Sequence, residues 1–135
     1  MKKITAIGDQ KGVAAVEFTI ILFFFLAIFV FGMIDISVLL YNQNVITNAS
    51  REGARARTTG ATNIQQIVED YCRNNLYNLG GPNPFDWTNG SAVSGPDGQN
   101  HVTVTVKYRY DFLFASFLGL NNKIMTAQTV MRMEE

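Results

Sequence analysis

Chemistry-bearing residues are scarce: one cysteine, one histidine and three prolines in 135 residues. The lone Cys72 excludes an intrachain disulfide, and with only His101 beside it no zinc-ligand spacing can be written. Neither residue stands in a nucleophile pattern. No Walker or dinucleotide fingerprint occurs, and the glycines between positions 80 and 98 do not join a strand to a helix. The neighbouring acids Glu69 and Asp70 fall on the outer side of an amphipathic helix, where hydration accounts for them. No enzyme activity, metal or cofactor is expected. Formal net charge is zero, which leaves no basic footprint for nucleic acid.

Charge of either sign is also missing from one long segment. From Val13 to Ile34 the only ionisable side chain is Glu17, there is no proline, and every residue from Ile20 to Phe31 is apolar. As a helix this segment spans about 33 Å, the thickness of a bilayer's hydrocarbon core. The sequence divides accordingly into a polar, basic leader (1–12), a transmembrane helix (13–40) and an extracytoplasmic α+β domain (41–135). The leader carries a charge of +2, from Lys2, Lys3 and Lys11 against Asp9, and Gly8 and Gly12 are expected to keep it out of a helix. A short basic N-terminus is retained while a following domain translocates, so the N-terminus is expected in the cytoplasm. Asp35, at the far end of the run, is expected to be a hydrated exit residue.

Helical spacing continues beyond the membrane. Val38, Tyr41, Val45, Ala49, Glu52/Gly53 and Ala56 recur at intervals of three and four, which extends one rod to Arg57. Thr62 with Gln65 has capping-box spacing for a second helix. Its apolar face runs through Ile64, Ile67, Val68, Tyr71, Cys72, Leu76 and Leu79 to a stop at Gly80-Gly81-Pro82. Cys72 reads as packed there, with pairing between chains as the alternative. A loop over 80–100 holds Trp87, expected to plug back onto the core or to face a partner.

His101 to Tyr110 alternates strictly, with Val102, Val104, Val106, Tyr108 and Tyr110 on one face, and Lys123 to Met133 is a second alternating run. Antiparallel pairing of the two is expected. Their connection, Asp111 to Asn122, is too apolar for an exposed loop. It covers a core, leans on the bilayer or meets a partner, in that order of preference.

Glu17 needs an explanation, because a carboxylate in hydrocarbon costs roughly 2.5 to 3.5 kcal/mol on insertion scales. It can snorkel, protonate or meet a cation from another chain. A cut after Gly12 would create an α-ammonium at Val13, close to the carboxylate of an adjacent chain shifted along the axis. Each of the two groups would then satisfy the other.

Gly12-Val13-Ala14-Ala15-Val16-Glu17-Phe18 followed by about twenty apolar residues resembles the class III signal of type IV pilins. With Leu39-Leu40-Tyr41-Asn42-Gln43 and Asn48-Ala49-Ser50-Arg51-Glu52-Gly53-Ala54-Arg55, residues 11–57 resemble the TadE-like minor pilins (pseudopilins) of Tad (Flp) pilus systems. The resemblance implies a prepilin cut between Gly12 and Val13 by a membrane aspartyl prepilin peptidase, with Glu17 used in processing or assembly. It implies as partners other pilins and minor pilins, the inner-membrane assembly platform and the lipid bilayer. The implied fold is pilin-like α+β: a long N-terminal helix, transmembrane then amphipathic, a short second helix and a small antiparallel sheet. The implied location is the inner membrane, single-pass, with incorporation into an extracellular pilus and a role in adhesion. The competing reading is an unprocessed, membrane-anchored envelope binding module that uses Trp87 and the Phe-rich connection as its surface. A secreted protein fits poorly, because the apolar run exceeds a signal peptide's h-region and no small-x-small site follows it promptly.

Overall fold

The computed structural model describes residues 9–81 and 85–133. Lys2 and Lys3 of the leader and the helix stop Pro82 lie outside the described residues. Helix α1 runs unbroken from Asp9 to Thr58, fifty residues, about 75 Å at the usual rise. Contrary to expectation, Gly12 lies inside it. One glycine costs about 1 kcal/mol against alanine, and a long helix absorbs this because extension needs no new nucleus. Within the apolar half, the Thr19 hydroxyl donates to the Ala15 carbonyl at 2.8 Å, so its polar group is paired inside the helix. The rod ends at Gly60 (φ 88°), where Ala61 N–H reaches Ala56 O and Gly60 N–H reaches Arg57 O. This is a Schellman stop.

Helix α2, Ile64–Asn75, folds back along α1 and buries Ile64, Val68 and Cys72. The expected capping box does not form. Asn63 is the N-cap, without a side-chain bond, and Gln65 instead donates to Glu69 at 2.8 Å. Nor does the helix reach Leu79, because Leu76 is already extended and Asn42 of α1 holds the next residue. The Asn42 side-chain carbonyl accepts from Tyr77 N–H at 3.0 Å, and its amide donates to the Tyr77 carbonyl.

The sheet has three antiparallel strands in the order β1 (Ala92–Ser94), β2 (His101–Asp111), β3 (Asn122–Arg132). The long pair is in the expected antiparallel arrangement, from His101 opposite Arg132 to Asp111 opposite Asn122. β1 was hidden in the Gly/Pro-rich loop. The alternating face of β2, Val102 to Tyr110, is buried beneath both helices, and its other face is half-wet. Trp87, in a short 3-10 turn, packs half-buried against this core.

Packing on α1 is divided. From Val45 onward Val45, Ile46, Ala49, Ser50, Gly53 and Ala54 are buried, a broader stripe than the spacing suggested, because α2 lies on one side and the sheet on another. Tyr41 and Glu52 of the expected stripe face out. A Cβ at Gly53 would lie 2.7 Å from Val68 Cγ2, so glycine sets how closely the two helices approach. From Gly12 to Leu26, by contrast, every side chain is exposed.

The chain direction decides what lies near the apolar half. β2 runs antiparallel to α1, so its end at Tyr110 meets Asp35, while Val104 lies by Gly53. The β2–β3 connection is therefore the part of the domain closest to the apolar run, and α1 is long and apolar enough there to be a candidate membrane span.

Candidate functional site

The residues expected to carry function occupy two ends of one helix. Gly12, Val13 and Glu17 lie near the start of α1, all exposed. A Cβ at Gly12 would meet nothing within 4 Å. Val13 and Glu17 are four positions apart and share one face, a single turn from each other. Among the described residues no side chain pairs with the Glu17 carboxylate. The structure thus brings the three together as an open, unobstructed helix segment rather than as a pocket.

About 27 Å further along the axis lies a site that the sequence did not disclose. Asp35 is buried, at 1 % exposure, rather than a hydrated exit residue. Its carboxylate accepts backbone N–H bonds from Phe114 at 2.8 Å and Leu113 at 3.3 Å, and the Tyr110 hydroxyl donates to it at 3.4 Å. Two successive N–H groups converging on one carboxylate make the kind of anion cradle that offsets burying a charge. Burial first, then the Asp35 carboxylate beside it, pushes the Tyr110 hydroxyl up to about 12. Next to this polar clasp the Phe31 and Phe114 rings stack with centroids 4.0 Å apart and nearly parallel planes. The end of β2 is thereby clamped to the rod at the point where the apolar run stops.

Further along, polar side chains of α1 fix the remaining elements. Asn42, fully buried, holds Tyr77 after α2, and Ser50 shares a hydrogen bond with Thr129 of β3 at 2.7 Å. Gln43 donates to the Thr126 carbonyl at 3.3 Å. The one signal for Asn42 and Ser50 in the sequence was their helical phase, beside Val45, Ile46, Ala49 and Gly53. For Asp35 the signal was the pairing of an acid at the end of the run with an oddly apolar strand connection.

Cys72 is fully enclosed, and burial pushes its thiol up to about 12, which fits the packed reading. Among the described residues no group of three His, Cys, Asp or Glu side chains is placed to hold a metal ion.

Comparison with curated proteins and with solved structures found no match. A family model does match, over residues 12–55, from the exposed Gly12 to the part of α1 that the domain encloses. That family is described as TadE-like protein, and residues 12–55, most of the N-terminal rod, are similar to it.

Proposed function

We propose that this chain is a minor pilin, or pseudopilin, of a Tad (Flp) pilus system. It is made as a prepilin, cut between Gly12 and Val13 by a prepilin peptidase, and it joins pilus assembly and surface attachment through other pilins and the inner-membrane platform. The domain is extracytoplasmic, and residues 1–12 form the cytoplasmic leader. The observation that carries this reading is the TadE-like match over residues 12–55 of a single helix that carries Gly12, Val13 and Glu17 exposed near its start.

Physical chemistry supports the same roles. A protease must reach backbone at Gly12, and among the described residues neither a side chain nor a neighbouring element covers it. Cleavage leaves a positive α-amino group at Val13, ordinarily protonated at neutral pH. In a bilayer, Glu17 of a neighbouring chain offers the complementary charge, and pairing relieves the desolvation of both. Glu17 acts in docking, not catalysis.

The test is to shear surface pili from cells expressing the native chain or Glu17→Ala and to probe the pilus and membrane fractions. The expected result is native protein in both fractions and the variant, inserted in membrane, missing from pili. Native protein retained wholly in the membrane, with its leader intact, would instead identify an unprocessed envelope module.

A further inference from the structure

The connection from Phe112 to Leu120 carries no charge, yet much of it is not enclosed by the domain. Phe117 is 90 % exposed, Leu120 59 % and Leu113 45 %. It does not point away into solvent. Phe114 stacks on Phe31, and Phe117 with Phe114 lines one wall of an apolar groove whose other wall is Phe24, Ile28 and Phe31 of α1. If the run Val13–Ile34 fills the hydrocarbon core, the level of Ile28 lies about 9 Å inside its outer edge. That is the depth at which interfacial apolar segments of membrane proteins sit, roughly 5 to 10 Å.

Irregular backbone is costly at that depth unless its polar groups are paired. Here several of them are met within the structure. Leu113 and Phe114 N–H go to the Asp35 carboxylate, Phe117 N–H to Phe114 O, Gly119 N–H to Ser116 O, and the Ser116 hydroxyl to Leu113 O. The bracketing charges, Asp111 and Lys123, stand at the strand ends on either side of this segment.

We propose that the β2–β3 connection is a second membrane contact, seated among the acyl chains of the extracytoplasmic leaflet, with lipid tails filling the groove against α1. Asp35 serves as its internal clasp, supplying acceptors to backbone donors that would otherwise enter hydrocarbon unpaired. The domain is then held to the bilayer at two points, which fixes its height and rotation about the rod. This inference rests on α1 being a membrane span, as in the reading above.

The experiment uses the full chain in phosphatidylcholine–phosphatidylglycerol vesicles. An environment-sensitive fluorophore is attached at Phe117→Cys, at Phe29→Cys on the rod, or at Val130→Cys on the sheet. The native thiol, Cys72, is buried and does not compete. Quenchers are spin labels on the lipid acyl chains. The expected result is loss of most emission at positions 29 and 117 and little loss at 130. Quenching at 29 without quenching at 117 overturns the inference and leaves the span intact. No quenching at either position overturns the span and the inference together. Equal quenching at all three overturns a specific contact, because the whole domain would then lie on the bilayer. A shielded but unquenched probe at 117 that becomes exposed on dilution of the chain overturns lipid as the occupant, in favour of a second copy.

Discussion

The two halves of α1 are one continuous helix with opposite surroundings. From Gly12 to Leu26 no residue is covered, whereas between Asp35 and Ala54 the helix buries Asp35, Asn42, Val45, Ile46, Ala49, Ser50, Gly53 and Ala54. Apolarity is therefore a poor guide to burial within this chain. The greasier half is bare, as suits a candidate membrane span, and the more polar half is enclosed because α2 and the sheet fold onto it. The proposed function follows the same division: on that reading the bare half offers a cut site and a docking carboxylate, and the enclosed half carries the domain.

Matched substitutions should break or sharpen that contrast. The largest effect is expected for Ile46→Ala, at 0 % exposure, which should cost about 2 to 5 kcal/mol of domain stability. The same change at Ile28, 59 % exposed, should move it by less than about 0.5 kcal/mol. Denaturant titration of the full chain in mild detergent, followed by near-UV dichroism, measures both. Equal effects would mean that the two halves are not differently packed.

Next in size is the junction between them. Asp35→Ala removes the acceptor of two backbone N–H groups and should cost about 2 to 3 kcal/mol, measured by the same titration. A hydrated exit residue would show almost none of this. Gly53→Ala forces Val68 to move from a 2.7 Å approach. It should cost about 1 to 3 kcal/mol, whereas Gly12→Ala, in open space, should leave domain stability unchanged.

Smaller and pH-dependent effects should come from the enclosed half alone. Burial, with Asp111 second, pushes Tyr108 up to about 12 from an ordinary 10.0, and Tyr110 and Cys72 reach about 12 as well, Cys72 from 9.0. Each ionises more easily unfolded than folded, so its contribution is complete below pH 9 and declines as pH rises towards 12. Unfolding midpoints measured across that window should fall, and Tyr110→Phe should flatten part of the fall. That variant's own cost is about 0.5 to 1.5 kcal/mol.

Much of this architecture was legible from periodicity. The alternation of Val102 to Tyr110 named the buried face of β2, and the unbroken apolar and amphipathic spacings named α1. What escaped depended on contacts distant in sequence. Asp35 looks like any acid at a membrane edge until Leu113 and Phe114, nearly eighty positions away, bring their N–H groups to it. Leu76 to Leu79 continue the helical pattern of α2, but Asn42 competes for the backbone of Tyr77 and wins. β1 is three residues long in a turn-rich stretch, too short for any period to show. Gly12, Val13 and Glu17 are a different case: among the described residues no side chain crowds Gly12 or pairs with Glu17, so the proposed role of the three rests on local spacing and not on contacts in the fold.

The central claim is that the bare end of the rod is a processing signal. The most direct measurement is the intact mass of the chain purified from cells with and without an active prepilin peptidase. With the peptidase, the account predicts the mass of a chain beginning at Val13. The full mass is predicted without it, and also for Gly12→Val in its presence. A native chain that still carries residues 1–12 in both cells would contradict the account.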